Sequence, residues 1–226
     1  MYRFFYFAGL FIVIFLMMFL LNKLRKKTTN ELEKVLYIQN NPKLYLELLK
    51  NSKLKILYRK SALLQLELNA YLILGEDFQT EHIIKLLDKI IMTNGESLEY
   101  NEKKLSYYCS KGKKEKAEEA LNKLERLLSK VKGEKAALIQ KESKLIFHIY
   151  IEHDTKLIKE LEKSLEYQQG ISRGITLFRL AKLSYFDKNN KRAQEFLLEA
   201  KKLLKGTAWY NITEAALGDL SVLNYK

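Results

Sequence analysis

From Phe4 to Leu21 the chain reads FFYFAGLFIVIFLMMFLL, 18 residues without a charge or a strongly polar group. No other stretch limits the fold so tightly. As a helix the run spans about 27 Å, close to the thickness of a bilayer's hydrocarbon core. A backbone in lipid must pair its polar groups internally, so a single such segment is expected to be helical. Tyr2 and Tyr6 stand near one end, where amphipathic rings favour the headgroup layer. Lys23, Arg25, Lys26 and Lys27 stand at the other. A cleaved secretory signal fits poorly, because only Arg3 precedes the core, the core is long, and no A-x-A-like site follows. A buried core helix fits worse, because the run is apolar on every side.

The reading is therefore a transmembrane anchor over residues 1–22, a basic juxtamembrane segment over 23–28, and a helical domain over 29–226. Basic residues concentrate on the cytoplasmic side of membrane helices. The flank NKLRKK thus places the helical domain in the cytoplasm of a single-pass cell-membrane protein. The lone Cys109 agrees with a reducing compartment. No small-xxx-small pattern occurs in the apolar run, so strong helix dimerisation there is not expected.

Charge is distributed unevenly. Residues 22–60 hold 11 basic and 3 acidic side chains, whereas residues 61–226 hold 28 and 24. The excess positive charge therefore sits beside the anchor, where it would meet anionic headgroups. Lys outnumbers Arg 33 to 7. Nucleic-acid sites recruit Arg for bidentate contacts, so this bias disfavours nucleic acid as the partner.

Beyond the anchor the sequence predicts an all-α fold. Pro42 is the only proline, glycine is sparse, and Leu, Lys, Glu, Ile and Ala dominate. A helix is expected from a cap at Thr29 or Asn30 to about residue 39. Pro42 then suits the first turn of the next helix. A long helix is expected over 54–74, followed by helices near 79–92, 97–110, 114–131, 134–152, 155–168, 171–187, 190–204 and 207–222. The short breaks between them make neighbours antiparallel, and the hairpins recur at 36–40 residues.

The hairpins carry a recurring pattern. Leu105, Tyr108, Gly112, Ala117, Leu121 and Leu124 form its clearest instance, and Leu180, Ala181, Tyr185, Ala193, Leu197 and Ala200 the second. Leu68, Tyr71 and Gly75 repeat its first half, and Leu145, Leu157, Leu161 and Leu165 keep its spacing without the small residues. In this pattern the chain resembles the tetratricopeptide repeat (TPR) family over about residues 55–205. The family's terminal Pro is missing from every repeat. The resemblance implies an α-solenoid of antiparallel hairpins that binds a protein or peptide. The stripe of Trp209, Ile212, Ala216, Leu217 and Leu220 is expected to form a capping helix over 207–223.

Nothing in the sequence points to catalysis. There is no GxxxxGK[ST], no GxGxxG after a strand and no GxSxG. His82, His148 and His153 form no HxxxH or HExxH pair, and Cys109 has no CxxC partner. The carboxylates alternate with lysines as on solvated helix faces. Asn211-Ile-Thr213 matches a glycosylation pattern, but on the expected cytoplasmic side it has no role. No catalytic residue, cofactor or metal is expected. The function expected is that of a non-catalytic, membrane-anchored scaffold for an unknown protein or peptide partner. A peptide-responsive sensor or a nucleic-acid module are the alternatives. Lys60, Lys103, Lys104 and Lys182, on the inner helices, are candidates to meet an acidic partner.

Overall fold

The computed structural model describes residues 2–131 and 133–224, with side chains from Val13 onward. All regular structure among them is helical. The chain forms two compact units, Met1–Glu96 and Ser97–Lys226.

The first unit opens with α1 (Tyr2–Glu33), a single helix of 32 residues that ends in a π-helical turn, Lys34–Ile38. The new helix expected at Thr29 or Asn30 does not occur. Thr29 Oγ1 instead shares a hydrogen bond of 2.8 Å with the Tyr58 hydroxyl, so it caps nothing and the helix runs on. Half of the Phe4–Leu21 run, residues 4–12, lies outside the described side chains. Among the described residues no helix is long and apolar enough to cross a membrane.

Asn41 caps α2 (Pro42–Leu49): its side chain accepts from the Leu44 amide at 3.0 Å, with Pro42 in the first turn. Asn51 likewise caps α3 (Ser52–Leu57). The long helix expected over 54–74 is in fact two, α3 and α4 (Lys60–Leu74), because Tyr58 and Arg59 are extended. Tyr58 is held there by donating its hydroxyl to the Arg25 carbonyl at 3.0 Å. The chain continues through α5 (Asp77–Leu87). Leu32, Leu36, Tyr45, Leu49, Leu54 and Ala70 make the core that ties the end of α1 to α2, α3 and α4.

The second unit begins within α6 (Asn94–Ser110) and continues through α7 (Lys114–Leu128) and α8 (Glu134–Phe147). A π-helical turn, His148–Glu152, prolongs α8. Short 3₁₀ turns flank α9 (Ile158–Ser164). Then come α10 (Gly170–Phe186), α11 (Asn190–Leu203), α12 (Ala208–Gly218) and a 3₁₀ turn, Leu220–Asn224. The tightest pairing is α10 with α11. Ala181, Ala193, Leu197 and Ala200 are fully buried, and Gly174 leaves room for Leu204, whose Cγ lies 2.8 Å from where a Cβ would stand. The last helix lays Trp209, Ile212 and Leu217 on the cluster of Phe178, Ala181 and Leu197.

Hairpin turns repeat one backbone device. Gly75, Gly112 and Lys188 adopt left-handed φ of 69°, 62° and 60°. The amide after each bonds back across the turn: Glu76 to the Tyr71 carbonyl, Lys113 to Tyr108 and Asn189 to Ser184. Asn40, His153, Gly170 and Gly206 are also left-handed. The array is thus compatible with a helical repeat.

Candidate functional site

Two surfaces gather the residues that the sequence singles out, one in each unit. On α1 the apolar side chains from Val13 to Leu20 are 46–71 % exposed, and Leu24 is 51 % exposed. They point around the whole helix, and nothing in the first unit covers them. The four basic residues follow directly, all exposed, but they are not equivalent. Arg25 donates through Nε to the Leu57 carbonyl at 2.6 Å, which fastens α1 to the end of α3. Lys27 stands 4.0 Å from Glu31, one turn on. Leu20, Lys23, Leu24, Lys26, Lys27 and Asn30 line a shallow, open depression.

The repeat-signature residues are mostly interior. Tyr108, Ala117, Ala181, Ala193, Leu197 and Ala200 are buried, while Tyr71 and Leu121 are half-buried. Gly75 and Gly112 occupy the left-handed turn positions. The buried ones set how closely helices approach.

Two of the four inner-helix lysines are not free to meet a partner. Lys104 is only 3 % exposed and reaches Glu119 of α7 at 3.5 Å. Lys182 is 1 % exposed, donates to the Leu223 carbonyl, and stands over the rings of Tyr150 and Phe186 at 5.1 and 5.5 Å. Burial lowers its pKa to about 8. Of the others, Lys103 is bound to Glu99 at 2.6 Å and Lys60 is exposed.

Around Lys182 lies a polar interior that helical periodicity does not reveal. Arg179, Lys182 and Phe186 occupy one face of α10 at i, i+3 and i+7. Arg179 pairs with Glu142 of α8. His153 stacks on Phe186 with 3.6 Å between ring centres and bonds the Ile149 carbonyl at 3.1 Å. Burial, with Lys182 adding to it, lowers the His153 pKa. The Tyr150 hydroxyl is buried without a hydrogen-bond partner and its pKa is pushed up to about 12, chiefly by burial. Its ion pair, ring stack and carbonyl bonds tie α8, α10 and the chain's last turn together. The signal for it in the sequence is Arg179 and Lys182, one turn apart in the largely apolar stretch 175–183.

The remaining candidates are ordinary. Cys109 is buried and its thiol is pushed up to about 12 by burial, which makes it a poor nucleophile. His148 pairs with Glu152 on the open groove between α7 and α8, beside the Lys144–Glu125 ion pair at 3.0 Å. Among the described residues no three His, Cys, Asp or Glu side chains are grouped to hold a metal. The chain matches no protein-family model, no curated protein and no solved structure.

Proposed function

We propose that this chain is a membrane-anchored, non-catalytic scaffold: α1 enters the bilayer through Phe4–Leu21, and the TPR-like hairpins present a surface to a protein or peptide partner on the cytoplasmic side. One observation carries the reading. A single unbroken helix exposes large apolar side chains on all sides at Val13–Leu20, yet is built into the core of the first unit at Leu32. Leaving such side chains in water costs about 1.5–3 kcal/mol each, which lipid removes. The uncharged sequence of the whole run supports the same medium for residues 4–12.

The repeat reading is supported by the shared turn geometry at Gly75, Gly112 and Lys188 and by small residues at helix contacts. The cytoplasmic side follows from the basic flank. A protein partner is favoured over a small molecule because the pattern's residues build packing surfaces.

Topology is tested with a Cys109→Ala background carrying Tyr167→Cys, a position 82 % exposed. A membrane-impermeant maleimide should label it only after permeabilisation. Labelling of intact cells would reverse the sidedness. The scaffold role is tested by cross-linking in membranes, where a partner should be enriched with the intact chain. The same small set of background proteins under every growth condition would count against it.

A further inference from the structure

α3 lies against α1 close to the end of the apolar run. The Arg25 bond to the Leu57 carbonyl and the Tyr58 bonds to the Arg25 carbonyl and Thr29 hydroxyl fix this level. Arg25 is four residues beyond Leu21, about 6 Å along the helix. That distance falls inside the polar layer, which adds roughly 5–8 Å to each side of a bilayer core. The core contact at Leu32 lies about 16 Å beyond Leu21 by the same rise. The last turn of α3 is therefore held nearer to the bilayer than the core at Leu32.

The surface of α3 suits that level. Ile56 is 84 % exposed, although a six-residue helix has little reason to point Ile into water. Lys53, Lys55, Arg59 and Lys60 around it are all exposed. No Asp or Glu occurs from Leu48 to Leu66, nor from Asn22 to Asn30 on the facing stretch of α1. Glu31 meets Lys27, and Glu96 feels Arg59.

We propose that α3 is a second membrane contact, in which Ile56 enters the headgroup layer while Lys53, Lys55 and Arg59 bind the phosphates of an anionic leaflet. The inference rests on α1 being a membrane anchor. A second contact, joined to α1 by fixed hydrogen bonds, would hold the first unit at one tilt instead of letting it swing. Amphipathic interfacial contacts combine apolar insertion with attraction to anionic lipid in this way.

The test uses the full chain in vesicles, in a Cys109→Ala background, with an environment-sensitive fluorophore on Ile56→Cys. A second chain carries it on Phe78→Cys, which is 82 % exposed beyond the far end of α4. In phosphatidylcholine vesicles containing phosphatidylserine, the probe at 56 should shift to the blue and be shielded from iodide, and the probe at 78 should do neither. Pure phosphatidylcholine, or Lys53→Glu with Lys55→Glu, should reduce the shift. A chain that floats with the vesicles while the probe at 56 stays aqueous overturns the inference and leaves the anchor standing. A chain that does not float overturns both. A shift at 56 produced by RNA without vesicles, and absent with them, assigns the patch to nucleic acid instead and overturns it.

Discussion

At the scale of single residues the instructive case is Lys182. Helical periodicity assigns a lysine to the surface, and Lys182 falls among residues that the pattern treats as inner face. The structure buries it because its ammonium finds the Leu223 carbonyl and two aromatic faces. Only tertiary packing supplies those partners, and no local signal announces them. Its folded pKa of about 8 lies below the ordinary 10.5. The unfolded chain therefore holds a proton between these values that the folded chain has lost, so Lys182 makes stability rise with pH over that window. Lys182→Met removes this dependence. The unfolding free energy of the parent minus that of the variant should climb by about 2–3 kcal/mol from pH 8 to 10.5 and level off above. Urea melts at a series of pH values measure it. A difference that stays flat would place the amine in water.

At the scale of elements most helices are legible because their stops are chemical. Glycine provides the left-handed turns at Gly75 and Gly112, and Asn41 with Pro42 provides a start that works as the residues suggest. Gly112→Ala should cost about 1 kcal/mol, since the strain of φ 62° falls on a Cβ. Gly95→Ala, in helical backbone with open space around it, should raise stability by a similar amount. Opposite shifts in melting temperature are the expected result. Gly174→Val probes the closest helix approach. Its side chain would drive into Leu204, and overpacking of this kind costs about 1–3 kcal/mol. A Tm that does not fall would show that α10 and α11 separate freely at that point.

The element boundaries that the sequence conceals have a common cause. Thr29 and Asn30 have good capping chemistry, but α1 passes through them with the Thr29 hydroxyl bonded to Tyr58 and Leu32 packed into the core. No breaker stands between Leu54 and Leu74, but the chain breaks at Tyr58 because that phenol is committed to α1. Lys188 and His153 take left-handed turns without glycine, so these turns show in the backbone and not in the letters.

At the scale of the whole molecule the chain carries three kinds of surface in sequence order. First comes a bare apolar helix, then a basic collar, then hairpins whose signature residues mostly face inward. The all-helical class was readable from proline scarcity, caps and period. On α1 the exposed apolar run and its basic flank are visible as composition alone. The candidate site was not readable in the hairpins, because the same lysines and tyrosines serve as core or as surface depending on packing. The account stands or falls on α1. Membranes from cells expressing the full chain should be washed in alkaline carbonate, which strips proteins held only by charge. The account predicts that the chain stays with the membrane pellet and leaves it only with detergent. Release into the wash would contradict the anchor and leave the exposed apolar helix to be covered by protein instead.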